Sequence, residues 1–134
     1  MRRLPLGPGG KLFGRRLNSP LGISAGPLLN SKWVEGYARL GFDVLTYKTV
    51  RSAFHPAYNL PNIRPVETRG AAAIATRRPT ASGLTFAVSL GLPSMEPDVW
   101  RKDVRRAKEK IGPGRLLIVS VIGTVPVGGD AEAL

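Results

Sequence analysis

Asp43-Val44-Leu45-Thr46-Tyr47-Lys48-Thr49-Val50-Arg51-Ser52 reads as a short buried strand that stops on a lysine. A lysine where a buried strand ends is costly, because its ammonium must be paired or kept in water. In a barrel of parallel strands, that position faces the active site. Upstream, Pro20-Leu21-Gly22-Ile23-Ser24-Ala25-Gly26-Pro27 is apolar, rich in small residues and bounded by turn formers, which predicts a second buried strand ending in a tight loop. Between the two, Asn30 or Ser31 can cap a helix and Glu35 sits in its first turns. Trp33, Val34, Tyr37, Ala38 and Leu40 recur at helical spacing, and Gly41 stops the helix. Strand, helix and strand within about 30 residues make a βαβ unit, whose strands are parallel.

Downstream, residues from about Ala53 to Ser82 read as irregular. His55-Pro56, Leu60-Pro61, Arg64-Pro65 and Arg78-Pro79 argue against any helix or central strand there. A loop of this length is functional or carries small strands of its own. Thr85-Phe86-Ala87-Val88-Ser89-Leu90 predicts a further strand, with Gly91-Leu92-Pro93-Ser94 as its exit loop. Ser94 or Glu96 opens a helix with Pro97 near its first position. Val99, Trp100, Val104, Ala107 and Ile111 form that helix's apolar face, and Gly112-Pro113-Gly114 ends it. Leu116 to Gly123 is nearly all apolar, as in a parallel strand covered on both faces. At the amino-terminal side, Lys11 to Leu17 suits a strand or hairpin. The expected segmentation is an arm over 1–18, a β-α-β unit over 19–52, a long loop over 53–83, a second β-α-β unit over 84–125 and the start of another element over 126–134, with Asp130 as a helix cap.

Composition narrows the class. The chain has 134 residues, enough for one modest domain, and its 43% apolar content is enough to bury a core. No run of about 18 apolar residues is present, so no membrane-spanning helix is expected. Met1-Arg2-Arg3 carries the charge of a secretory signal, but no continuous apolar region follows it, and a soluble, cytoplasmic protein is expected. The absence of cysteine excludes disulfides and thiolate metal sites, and a single histidine, His55, argues against a histidine metal cluster or a Ser-His-Asp triad; no metal is expected. A net charge of +11 points toward nucleic acid or phosphate partners. The basic residues are scattered, however, and are not interleaved with aromatic side chains, which argues against a nucleic-acid surface.

In a parallel α/β fold, the carboxyl ends of the strands lie side by side. Ser24-Ala25-Gly26-Pro27, Lys48-Thr49 and Ser89 to Ser94 would therefore converge. Small residues let a flat ring approach the backbone, Lys48 places a cation beside it, and Thr49 adds a hydroxyl. Each feature also has a plainer reading. The small residues suit a turn, Lys48 a solvated rim, Gly91-Leu92-Pro93-Ser94 a helix-capping loop, His55 a loop residue held by Pro56, and the two tryptophans core positions.

Taken together, Ser19 to Pro27, Gly41-Phe42-Asp43, Thr46-Tyr47-Lys48-Thr49-Val50, Leu90-Gly91-Leu92-Pro93-Ser94 and Ile118 to Gly123 stand in the order and spacing of the dihydroorotate dehydrogenase family. The chain resembles that family from about Ser19 to Asp130. The resemblance implies an α/β fold, an FMN-binding (β/α)8 TIM barrel, of which this chain would be the incomplete amino-terminal half with open strand edges. It implies a flavoprotein that oxidises dihydroorotate to orotate in pyrimidine biosynthesis, a base removing a proton as hydride passes to FMN. It places Ser24, Ala25, Gly26, Lys48 and Thr49 against the flavin. It makes Lys48 the catalytic cation that touches flavin and substrate, and it puts Leu90, Gly91 and Leu92 along the substrate pocket. Two departures stand out. Val88 occupies the place where the family has a substrate-gripping asparagine. The family's Cys or Ser base and its phosphate-binding loops fall outside this sequence, so the chain is expected to be inactive alone, and its full-length form to be a homodimer. Two alternatives stay open: an FMN-dependent oxidoreductase acting on another dihydropyrimidine, and a basic, non-catalytic nucleic-acid-binding module.

Overall fold

The computed structural model describes residues 9–69, 72–75 and 85–123. The start of the arm, the Arg78-Pro79 break and the element expected to open at Asp130 lie outside the described residues. The chain divides into two compact units, one formed by Met1–Phe54 with Ser94–Leu134 and the other by His55–Pro93.

The first unit begins with a hairpin of β1 (Lys11–Leu12) and β2 (Arg15–Arg16). Phe13 and Gly14 at its tip both have positive φ, as a two-residue turn matching the twist of its strands requires. Strand β3 (Gly22–Ile23) then leads through helix α1 (Ser31–Leu40) to β4 (Val44–Arg51). Asn30 caps α1, its side-chain oxygen accepting from Lys32 N at 3.0 Å and Trp33 N at 3.3 Å. Gly41 ends the helix in the left-handed conformation, with φ 103°.

Beyond the second unit, α2 (Pro97–Ile111) and β8 (Leu116–Ile122) complete the first. Pro97 lies in the first turn of α2, as expected, and Gly112 and Gly114 end it with positive φ. Its amino-terminal cap position is Glu96, which makes no side-chain cap bond; Ser94 is buried and instead accepts from Arg51 N at 3.0 Å.

Strands β3, β4 and β8 form one parallel sheet in that order. Helices α1 and α2 pack on each other, and both supply the core that covers Leu45, Tyr47 and Val50 of β4. Strands taken in chain order, with both helices on one face, match the wall of a singly wound β/α barrel; a doubly wound sheet has helices on both faces. No closed barrel forms among the described residues, and β8 pairs there on one side only.

The core of Leu28, Val34, Ala38, Leu45, Tyr47, Val50, Ala107 and Ile111 follows the expected helix faces, with three exceptions. Trp33 and Val99 lie at the edges of their stripes and are about half exposed, and Leu40 is half-buried outside the core. Strand β8 is only half-buried along its length, and Val121 is 70% exposed, so the expectation of a strand covered on both faces is corrected.

The starts of the three parallel strands are tied at Asp43, which is 1% exposed. Ser19 N donates to its Oδ2 at 2.6 Å, and Arg115 Nε lies 3.2 Å from its Oδ1, off hydrogen-bond geometry, so that contact is one of charge. The backbone of Asp43 accepts from Leu116 N and donates to Leu21 O. This end of the sheet is a structural knot.

The second unit is an antiparallel sheet of β5 (Ile63–Arg69), β6 (Ala72–Ala75) and β7 (Thr85–Val88), in the order β6-β5-β7. Two expectations are corrected here. Thr85–Val88 is not a parallel strand of the main sheet; it pairs antiparallel with β5, Ile63 facing Val88 and Val66 facing Thr85. A short apolar run does not reveal its partner's direction, and the partner was hidden by Pro65. That proline stands in the central strand because β5 pairs with β7 over Ile63–Val66 and with β6 only over Val66–Arg69. Pro65 therefore sits where one side of the strand carries no ladder, and its missing N–H costs nothing.

Candidate functional site

The site is built at the carboxyl end of the parallel sheet, where β4 departs from regular pairing. Its register with β8 runs from Val44 opposite Leu116 to Tyr47 opposite Val119, then shifts so that Val50 faces Val121. Lys48 and Thr49 together stand against the single residue Ser120. A bulge of this kind re-aims side chains and is common at barrel rims. Tyr47 before it and Val50 after it are both buried among the helices. Thr49 points to the other face, where its hydroxyl lies 2.9 Å from that of Ser120.

Lys48 is half-buried. Its Nζ donates to the Thr49 carbonyl at 3.3 Å, and burial pulls its pKa below the ordinary lysine value. Its backbone N–H donates to Leu28 O at 2.9 Å. That bond fastens the loop after β3 to the end of β4. Within the loop, Leu28 N donates to Ala25 O at 3.3 Å, closing a turn over Ala25–Leu28. Ser24 and Gly26 are exposed and Ala25 is half-buried. A Cβ placed on Gly26 would meet no atom within 4 Å, and its φ is not positive. The fold therefore has no steric need for glycine there, and the space in front of it is open.

The structure thus brings Ser24, Ala25 and Gly26 into the loop bound to Lys48, with Thr49 next to it. Leu90, Gly91 and Leu92 belong to the second unit, so the ground of three converging parallel strand ends falls away for them. Their loop has a special geometry of its own. Gly91 has φ 78° and Leu92 φ 49°. Tyr58 N donates to Leu90 O at 3.2 Å, and a Cβ on Gly91 would come within 2.8 Å of the Tyr58 ring. A leucine in the left-handed region is a strained residue of the kind found at ligand clamps. Val88 is 57% exposed and borders, with Arg64 and Asn62, a cavity of about 260 Å3.

Several polar residues at the strand end were missed in the sequence. Ser120 is the one hydroxyl in the apolar run of β8. Asp103, half-buried, falls on the apolar stripe of α2, three residues after Trp100 and four before Ala107, a placement that singles the acid out. Its Oδ2 accepts from Tyr47 Oη at 2.8 Å and from Ser31 N at 2.7 Å, and its Oδ1 accepts from Ser31 Oγ at 2.6 Å. Burial by itself raises its pKa, but the bonds from Ser31 and Tyr47, with Arg106 nearby, outweigh that and hold the carboxyl below its usual range. Burial, with the Asp103 carboxylate beside it, pushes the Tyr47 phenol well above its ordinary value. A cavity of about 440 Å3 opens beside this group, lined in part by Tyr47, Lys48, Trp100 and Asp103.

A half-buried lysine on a bulge thus stands beside a loop of small residues at the carboxyl end of the parallel strands. The chain is 36% identical over 131 residues to a dihydroorotate dehydrogenase of Dictyostelium discoideum, a match covering 88% of this chain and 35% of that protein. The resemblance to dihydroorotate dehydrogenases carried by the strand-end motifs is thereby shown. The chain spans about a third of the length of the curated relative it matches. No protein-family profile matches the chain, and no solved structure does.

Proposed function

We propose that this chain is part of an FMN-dependent oxidoreductase of the dihydroorotate dehydrogenase kind, with its parallel sheet forming part of a (β/α)8 barrel wall. The observation that carries the reading is Lys48, half-buried on the bulge and tied by its own N–H to the Ser24–Leu28 loop. The residues present fit a flat anionic group. The open space at Gly26 admits a ring to the backbone, and Lys48, stripped of part of its hydration, gains from an anionic partner. Ser24, Ala25, Gly26 and Thr49 would hold the isoalloxazine, which when bound supplies a two-electron acceptor. Lys48 would hold charge at the ring edge and orient a substrate carboxylate. Leu90, Gly91 and Leu92 are assigned to the substrate side, their strained loop being suited to a fixed wall.

The test is to express the complete open reading frame that contains this chain, record its flavin spectrum and assay dihydroorotate-dependent dye reduction. A flavin-free protein sinks the reading. Lys48→Met in the same protein should lower turnover by at least about a hundredfold, the scale of losing one fixed electrostatic group at the reacting centre. Unchanged turnover removes Lys48 from the site.

A second substrate is favoured by one observation. Val88 has no side-chain hydrogen-bond donor where the family resemblance implies a substrate-gripping asparagine, so another dihydropyrimidine is the competing substrate. A substrate panel separates the two, and a strong preference for dihydroorotate rejects the second.

A further inference from the structure

We propose that Asp103 is a positioning residue for Lys48, acting through Tyr47 and Ser31; this rests on the reading of Lys48 as the ligand-side cation. Lys48 stands on the bulge, where the register of β4 against β8 shifts between Tyr47 and Val50. Several contacts hold this segment. On the helix side, Tyr47, 3% exposed and adjacent to Lys48, donates its phenol to Asp103 Oδ2 at 2.8 Å. On the loop side, Lys48 N donates to Leu28 O at 2.9 Å. On the opposite face, Thr49 pairs with Ser120 at 2.9 Å.

Asp103 makes the first of these contacts and adds a further one at the loop's end. Besides Tyr47 it holds both the N–H and the hydroxyl of Ser31, the first residue of α1. That residue directly follows the loop containing Ser24, Ala25, Gly26 and Leu28. One carboxylate on α2 therefore fixes the strand end bearing the cation and the anchored end of the loop expected to face the ring. Its directional, charge-assisted bonds specify one arrangement where apolar packing would tolerate several. Its place on the apolar stripe of α2 singles the acid out in the sequence, but its partners on two other elements do not follow from local pattern.

The experiment uses the full open-reading-frame protein with Asp103→Asn, Tyr47→Phe, Lys48→Met and the double variant Tyr47→Phe/Lys48→Met. Three quantities are read: the melting midpoint, the titration of the Lys48 ε-carbon by NMR without ligand, and FMN affinity by flavin fluorescence far below the melting midpoint. A displaced Lys48 titration in Tyr47→Phe, with FMN bound about tenfold more weakly, is the expected result. Tyr47→Phe should then cost nothing further once Lys48 is already Met. The proposal is overturned if Tyr47→Phe and Asp103→Asn lower only the melting midpoint, or if Tyr47→Phe weakens FMN equally with and without Lys48. Should Asp103→Asn fail to fold, Tyr47→Phe, which removes a single hydroxyl, decides alone. A wild-type protein that binds no FMN refutes the functional reading, while the Lys48 titration in Tyr47→Phe still decides whether Asp103 positions it.

Discussion

Lys48 is held at a cost to the ligand-free protein. Burial lowers its pKa, so folding disfavours the charged form relative to the unfolded chain. For a lysine with a depressed folded pKa, the unfolded state binds more protons between the folded value and the ordinary value near 10.4. The penalty is therefore complete below the folded pKa and is relieved as pH rises through that interval. Lys48→Met removes it, and calorimetry of the ligand-free protein at neutral pH should show a melting midpoint equal to or above that of the wild type. A drop of several degrees would show that the ammonium is stabilising where it stands. The same variant should lose any stabilisation by an anionic ligand, because the charge that binds it is gone. A residue whose removal stabilises the empty protein and disables the loaded one is the signature of a functional strand end.

At the scale of elements, helix α1 and the Leu90–Leu92 loop make different demands on sequence. Asn30 satisfies two of the helix's first N–H groups, and Asn30→Ala should destabilise the first unit by about 1 kcal/mol in urea unfolding. No loss would mean that Ser31, through Asp103, holds the helix start alone. Gly91 is constrained by conformation and by space together. With φ 78° and the Tyr58 ring in the way, Gly91→Ala should cost the second unit about 1–3 kcal/mol. Hydrogen exchange at Tyr58 N–H, bonded to Leu90 O, reads that cost locally. Exchange as slow as in the wild type would show that the loop tolerates a side chain. Helix α1, α2, β4 and the first hairpin were legible because their periodicity and punctuation are local. Strands β5 and β7 were not legible as a pair, because Pro65 is admissible only through the staggered pairing of β5, which no local pattern announces.

At the scale of the whole molecule, charge balance dominates the response to pH. Nine acidic residues stand against twenty lysines and arginines. Asp103 has its folded pKa depressed, so it contributes stability above the unfolded value near 3.9, and that contribution is lost as pH falls through the folded value. Glu35 is shifted the same way, chiefly by its bond from Lys110 and also by Arg39, but both partners are exposed and the pairs weigh little. Protonating the few acids also leaves the basic charge unopposed. Acid unfolding followed by circular dichroism should therefore set in below about pH 4, and Asp103→Asn should flatten the curve there. An unchanged curve would assign the acid sensitivity to other carboxylates. The excess charge also defines the rival reading as a nucleic-acid module. Salt-dependent retention of this chain on a polyanion would support that reading, and passage without retention at low salt would end it.

Local sequence determined the elements and the chemistry at their ends: a strand closing on Lys48, small residues after its neighbour, a capped helix between them, and the motifs shared with dihydroorotate dehydrogenases. These follow from spacing and from intrinsic residue preference, which need no distant partner. Tertiary structure alone decided that Thr85–Val88 runs antiparallel in a second unit, that β4 bulges at Lys48, and that Asp103, Tyr47 and Ser31 meet behind it. Each of these depends on which residues far apart in the chain come to share a strand pair or a buried hydrogen bond. That choice is made by the packing of whole elements.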